Sequence, residues 1–324
     1  MRHVIVTGAT GLIGSQLVKT LHATGLRVTA TARDPQAAFA AEIGVPLSRL
    51  DVLEPCSADF ANAGVDCLIH CATANDIVSK DPPRGFQLSV AGTWNVLDLA
   101  VRAGISRVIY FSTFQVYGTE LSGVVDETTA PRCETPYGLN HWFGEEVCRT
   151  ISRRHGIAIA VVRPANVYGA PAASSVRRET LVPACFVRDA LAHGEIRLQS
   201  SGRQRRNFVS TKEVANACRH ILEDFPPDFR IYNICSAFSA SVREVADLTA
   251  DVHQSRFGTP LPVRVLSEIP HTAATFEARS RLQSLWSPAE VSRECMRREI
   301  DLLYDRMSAI PSLLEKGATQ KEVR

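Results

Sequence analysis

The chain has 324 residues, 45% of them hydrophobic, enough for a large core or for one and a half to two domains of roughly 100–200 residues each. Its 36 basic and 34 acidic side chains leave a formal net charge of +2, which argues against a general nucleic-acid or membrane-surface binder. No apolar run approaches the ~18 residues of a membrane span, and a strand begins by residue 3, leaving no room for a signal peptide, so a cytoplasmic protein is expected.

The first predicted element is a strand over 3–7, carried by Val4-Ile5-Val6. Gly8, Gly11 and Gly14 follow at fixed spacing, and then a helical pattern of Leu12, Ile13, Leu17, Val18 and Leu21. Strand, glycine turn and helix form the geometry that cradles a dinucleotide pyrophosphate. Gly8 suits the tight turn, Gly11 lets the backbone approach the phosphates, and Gly14 lets the helix sit close on the sheet. The helix N-terminus adds free N–H groups and a partial positive charge. Thr10, Leu12 and Ile13 complete this candidate cradle.

Further strands are predicted over 27–31, 46–50, 66–70, 107–111 and 158–162, with helices between them, notably over 85–103 and 136–155. This alternation predicts an α/β fold, a doubly wound parallel sheet with right-handed crossovers and a ligand at the C-terminal ends of the strands. After residue 170 the rhythm breaks. Pro, Gly, Ser and Arg become frequent, and strand-like pieces are short, at 196–199, 230–234 and 263–266. Residues 1–170 read as a dinucleotide-binding Rossmann-type domain, to which 202–235 returns. Residues 171–201 and 236–324 read as a smaller α/β substrate-binding cap, its polar tail from about 318 frayed. The nine cysteines, at 56, 67, 71, 133, 148, 185, 218, 235 and 295, include no CxxC pair and are odd in number. Buried free thiols in a reducing compartment are expected, with no metal site.

The run TGATGLIG, spaced GxxGxxG, resembles the short-chain dehydrogenase/reductase superfamily in its extended, nucleotide-sugar-modifying branch. The resemblance covers most of the chain. The second strand ends GLRVTATARDP. In NAD-dependent family members an Asp stands where this chain has Ala32, which can neither accept from a ribose 2′-OH nor pair with a 2′-phosphate. Arg33 follows at once, as in NADP-binding relatives, and a guanidinium matches a phosphate bidentately. NADP(H) is the expected cofactor and NAD(H) stays possible, with Arg33 as a solvated loop residue beside Asp34 as the alternative. Asp51 and Val52 resemble the family's adenine-binding pair. Cys71, Ala72 and Thr73 resemble its small-residue motif against the cofactor, with His70 read as a packed strand histidine. The segment SVAGTWNVLDLA resembles NVxGTxNVLxxA, with Ser89 in place of Asn; that helix lines the family's dimer interface and implies a homodimer.

The run RVIYFSTFQVYG resembles the family strand ending SSxxVYG and puts Thr113 at the catalytic Ser or Thr. Nucleotide-sugar 4,6-dehydratases carry TDE before VYG. Here Thr113 is followed by Phe114 and Gln115, neither of which can transfer the protons of that elimination. The segment TPYGLNHWFGEE resembles the helix carrying YxxxK, whose two residues share a face at i and i+4. Tyr137 takes the place of the general acid or base, and His141 stands where the family has Lys. A histidinium would reach the ribose and stabilise a tyrosinate, helped by a neighbour such as Glu145 or Glu146; a neutral imidazole would contribute one hydrogen bond. The alternative is a Tyr137 that only packs, in a site without chemistry.

RPANVYG resembles the family's RxxNVYGP and implies substrate contact by Asn166, with Pro164 and Val167 near the nicotinamide. SSGRQRRNFVSTKEVANA resembles the segment whose Arg holds the substrate pyrophosphate, here Arg206, with Asn207 in place of Asp. Arg264 is either a second phosphate ligand or solvated. Together these motifs imply an NADP(H)-preferring oxidoreductase acting on a nucleotide-diphosphate sugar, most often at C4. An epimerase with tightly held NAD(P) and a non-catalytic dinucleotide-binding protein remain as alternatives.

Overall fold

The computed structural model describes residues 2–54, 64–267, 275–284, 286–289 and 292–310. Cys56 and the tail from 318 lie outside them. In chain order the elements are β1 (His3–Thr7), α1 (Leu12–Ala23), β2 (Arg27–Ala32), α2 (Ala37–Ile43), β3 (Leu47–Arg49), β4 (Cys67–His70), α3 (Pro82–Phe86), α4 (Gly92–Arg102), β5 (Arg107–Phe111) and β6 (Gly123–Val125). There follow α5 (Pro136–His155), β7 (Ala158–Pro164), β8 (Asn166–Tyr168), α6 (Ala184–His193), β9 (Ile196–Leu198), β10 (Arg205–Ser210), α7 (Thr211–Glu223) and β11 (Arg230–Ile234). The last are β12 (Ser239–Ser241), α8 (Val242–Phe257), β13 (Val263–Val265), β14 (Phe276–Ala278) and α9 (Arg293–Ser308).

Seven strands form one sheet in the order β3-β2-β1-β4-β5-β7-β11, with every pairing parallel. Parallel strands covered on both faces need apolar side chains on both, and all five residues of β1 are buried. On one face Leu17 and Leu21 of α1 pack with Val214 and Ile221 of α7. On the other, Val96 and Leu97 of α4 pack with Cys148 and Ile151 of α5. This is the doubly wound α/β arrangement expected from the alternation of elements. The strand order reverses between β1 and β4, where Thr7 lies beside His70, and a crevice opens beyond the strand ends at such a switch point.

A second cluster joins Phe186 of α6, Leu248 of α8 and Ile300, Leu303 and Tyr304 of α9. β10 pairs with β8 and β12 in a separate three-stranded sheet, while β11 extends the large one. All eight described cysteines are free thiols. No helix among the described residues is long and apolar enough to cross a membrane.

The helix expected over 85–103 runs without interruption over 82–102, with one π turn inside it. Asp81 caps α3 by accepting from the Arg84 N–H at 3.3 Å, Pro82 opens it, and a π-helical turn over Gln87–Ala91 separates it from α4. Ser89 in that turn is fully buried and accepts from the Ala74 N–H at 3.0 Å. The turn thereby ties the helix to the loop after β4, a π-bulge placed beside the cleft.

Candidate active site

A cleft of about 620 Å³ opens at the switch point. It brings together Gly8, Thr10, Gly11, Leu12, Ile13, Gly14, Cys71, Thr73, Thr113, Tyr137, His141, Pro164, Asn166, Val167 and Arg206. Ala72 does not line it but sits directly behind the glycine turn. Arg33, Asp51, Val52 and Arg264 lie outside its lining.

The glycine turn is specific in its steric demands. Gly8 has φ of +66°, and a Cβ there would stand 2.8 Å from the Ala72 backbone nitrogen. A Cβ on Gly14 would overlap the Gly8 carbonyl and come within 3.1 Å of the Ala9 Cα. Gly14 therefore makes room within the turn itself, not against the sheet as its spacing had suggested. Gly11 is the N-cap of α1, and no side chain caps that helix. The N–H groups of its first turn are left for an anion, supported by the helix dipole.

At the adenosine end Ala32 is buried and Arg33 is exposed, pairing with Asp34 at 3.2 Å. Arg49, at the end of the adjacent β3, is a second cation here, held by Glu54 through two 2.9 Å hydrogen bonds. Asp51 spends one carboxylate oxygen on the Leu53 N–H at 3.0 Å, and Val52 is buried with its carbonyl accepting from Asn95 at 2.9 Å. His70 is a packed strand histidine: Nδ1 meets Thr7 Oγ1 at 2.7 Å, Nε2 meets Thr93 Oγ1 at 3.2 Å, and burial pushes its pKa down to about 3.

The reacting end is assembled by α5 lying close on β5 and the turn after it. Thr135 caps α5 at the Gly138 N–H (3.1 Å) with Pro136 in the first turn. A Cβ on Gly138 would stand 2.8 Å from the Gln115 carbonyl, and one on Gly144 would overlap the Tyr110 hydroxyl. These two glycines let Tyr137 approach Thr113. Thr113 Oγ1 accepts from the Gln115 N–H at 3.2 Å, which leaves its hydroxyl proton to donate toward Tyr137 or a bound oxygen. Burial raises the Tyr137 pKa, while the Thr113 hydroxyl and the Arg178 charge oppose that rise.

His141 packs edge-on against Tyr137 with ring centroids 4.6 Å apart. Burial pushes its pKa down to about 4, against the opposing pull of the Ala74 and Phe111 main chain. The imidazole is neutral at pH 7, so the expected histidinium does not form, and the charge of the usual Lys has no counterpart at this position. Neither glutamate changes this: Glu145 is bound elsewhere, and Glu146 pairs with Arg149 at 3.2 Å. Nδ1 of His141 is buried with no hydrogen-bond partner among the described residues.

Several functional groups escaped the sequence reading. Arg163 on β7 and Glu145 on α5 form a buried bidentate pair at 2.8 and 2.5 Å, and Ser112 donates to the same carboxylate. Arg163 also lies 4.8 Å over the Tyr117 ring, whose hydroxyl donates to Asn233 at 2.8 Å. This network fixes α5, and with it Tyr137, against the sheet. An Arg inside the apolar run AVVRP was the available signal. Asp76, after β4, and Arg178, in the segment after β8, meet as an ion pair in the cleft lining.

On the substrate side, the Asn166 amide donates to the Asn207 carbonyl at 3.0 Å, which leaves its own carbonyl oxygen for a ligand. Asn207, in place of the usual Asp, ties β10 to the segment after β11 through Ser236, donating at 2.7 Å and accepting at 3.1 Å. Arg206 lines the cleft, and its side chain makes no hydrogen bond or ion pair among the described residues; burial lowers its pKa without a partner to offset it. Arg264 is not brought to the cleft. It is exposed on β13 and pairs with Glu195 at 2.8 Å, so its phosphate-ligand reading is not supported.

Comparison with known proteins bears on this geometry. The chain is 26% identical over 306 residues to a dTDP-4-dehydro-6-deoxy-D-allose reductase from Streptomyces sp, covering 90% of each chain. A Sinorhizobium fredii relative, protein y4nG, is 27% identical over 76% of this chain, which spans 59% of that protein's length. Among solved structures, a UDP-glucose-4-epimerase from Stenotrophomonas maltophila with bound NAD superposes with a TM-score of 0.81 at 21% identity, covering 95% of this chain and 99% of that one; at that identity the likeness shows the fold. The model of the NAD dependent epimerase/dehydratase family matches residues 4–235. With the match spanning the glycine turn, Thr113, Tyr137 and Arg206, this chain belongs to the NAD dependent epimerase/dehydratase family.

Proposed function

We propose that the chain is an NADP(H)-preferring oxidoreductase that reduces a keto carbon, C4, of a nucleotide-diphosphate sugar. The observation that carries the substrate class is Arg206. A guanidinium taken largely out of water without a partner is costly, and it faces the same cleft as Tyr137 and the glycine turn. A diphosphate offers the two negative oxygens that it lacks.

The turn at Gly8–Gly14 and the first turn of α1 would hold the pyrophosphate of the dinucleotide, and Pro164, Val167 and His141 would lie at its nicotinamide ribose end. When bound, the dinucleotide supplies the hydride. Tyr137 gives its hydroxyl proton to the sugar oxygen as the keto carbon becomes a carbinol, and Thr113 donates a hydrogen bond to the same oxygen. Asn166 orients the sugar. The Glu145–Arg163 pair holds the helix that carries Tyr137. Arg33 supports NADP(H), since a 2′-phosphate would replace Asp34 as its anion.

An epimerase that retains its cofactor is the second reading, supported by the segment after β8. Glu42 on α2 accepts from Ser174 N–H at 2.7 Å and Ser174 Oγ at 2.8 Å, and pairs with Arg306 on α9 at 2.9 Å. This strap shares a small pocket with Leu12 at the start of α1 and would slow dinucleotide exchange. Exposed Phe86, Trp94 on α4 and Leu139 on α5 support a homodimer through these helices, and the free thiols support a reducing cytoplasm.

Calorimetry with UDP-, dTDP-, GDP- and CDP-sugars tests the substrate class. Arg206→Ala should weaken nucleotide-sugar binding about tenfold or more and leave NADPH binding nearly unchanged. If no nucleotide diphosphate binds the parent chain, the substrate class is wrong.

A further inference from the structure

The exchange of Lys for a neutral, buried His leaves Tyr137 without the cation that its position normally has on the same helix. The charged and titratable groups around it come from five elements. His141 is on α5 itself, and Tyr110 is on β5, buried with a pKa well above its ordinary value. Asp76 follows β4, Arg177 and Arg178 come from the segment after β8, and Arg205 and Arg206 line the cleft from β10. Glu145 is paired with Arg163. Among these cations Arg178 is the one whose field lowers the Tyr137 pKa, and its partner Asp76 opposes it more weakly.

Their geometry makes this a built arrangement. Arg178 has a side chain only 16% exposed. Its guanidinium donates to Asp76 Oδ1 and, at 3.2 Å, to Thr180 Oγ1. Asn75 Oδ1 accepts from the N–H groups of Ile77 and Val78 at 3.0 and 2.9 Å, which fixes the loop bearing Asp76. The ion pair joins residues 102 positions apart, both in the lining of the cleft that holds Tyr137.

We propose that Arg178, held in the cleft lining by Asp76, is the positioning residue that supplies Tyr137 with the positive charge His141 does not carry. The proposal rests on Tyr137 as the acid/base, and it assigns the cation to the segment after β8. Asp76 works in the opposite direction, opposing tyrosinate formation while it orients the guanidinium.

The opposed signs give the test. Tyrosine 13Cζ resonances of the full chain, freed of dinucleotide, are followed against pH, and Tyr137→Phe assigns the Tyr137 signal among the six tyrosines. Arg178→Gln should move the Tyr137 titration to higher pH by about one pH unit or beyond the alkaline unfolding limit, and Asp76→Asn should move it lower by a similar amount. His141→Lys in the Arg178→Gln background should bring it back down. Both single substitutions break the same ion pair, so a merely structural role would move both titrations the same way. That result, or an Arg178→Gln titration matching the parent's, would overturn the proposal. Full turnover in Tyr137→Phe would instead refute the acid/base reading, and the titrations would still decide the electrostatic one.

Discussion

The two ends of the cleft are built from different materials. At the pyrophosphate end the work falls to backbone: glycines without Cβ atoms, N–H groups of an uncapped helix and its dipole. At the reacting end it falls to side chains, Thr113, Tyr137, His141 and the ion pairs around them. Backbone chemistry depends on spacing and survives changes in neighbouring residues. Side-chain chemistry depends on burial and on partners distant in sequence. The lysine-to-histidine exchange shows this, because an imidazole in that buried site is neutral and the charge must come from elsewhere.

If the reacting end depends on side-chain placement, its largest vulnerability is the buried Glu145–Arg163 pair. Glu145→Met leaves a buried guanidinium unpaired and should cost about 3–5 kcal/mol of stability, read as a fall in Tm. The double variant with Arg163→Met should recover part of it. A Tm unchanged in the single variant would show that the pair does not hold α5 in place.

Acid should sharpen the comparison next. His141 and His70 have folded pKa values pushed down to about 4 and about 3, below the ~6.5 of the unfolded chain. Their contribution is fully present above ~6.5. As pH falls below that, the unfolded chain takes up protons that the folded chain refuses, and stability drops by up to about 1.4 kcal/mol per pH unit for each histidine. His141→Gln should flatten this slope between pH 6.5 and 4 in thermal melts. An unchanged slope would mean His141 is not held neutral by burial.

The smallest effect belongs to the exposed adenosine end. NADPH should bind more tightly than NADH, and Arg33→Ala should remove the difference, about tenfold. Equal affinities in the parent would assign Arg33 to Asp34 alone and favour NAD(H).

The sheet was legible because its strands are short apolar runs between glycine and polar punctuation, as at Val4-Ile5-Val6. The 85–103 helix was legible in its extent, but its start at Asp81 and Pro82 and its π turn around Ser89 were not, since periodicity does not register them. The glycine turn was legible from its spacing, and the cleft residues from Thr113 to Arg206 through the resemblance of their motifs to the family. Arg264 was not, since its choice of Glu195 over the cleft is made by the pairing of β13 with β9. Arg163 with Glu145, and Arg178 with Asp76, were hidden because each pair forms only when distant segments meet.

Hydride delivery to a nucleotide-linked sugar carbon, with Tyr137 as proton donor, can be followed atom by atom. NADPH carrying deuterium at the transferred position is mixed with dTDP-, UDP- and GDP-linked 4-keto sugars. Net NADPH consumption with deuterium at the sugar carbon is expected, and a roughly 10²–10⁴-fold slower rate in Tyr137→Phe. No reaction with any nucleotide-linked sugar, or labelled reduction at an undiminished rate in Tyr137→Phe, would contradict it.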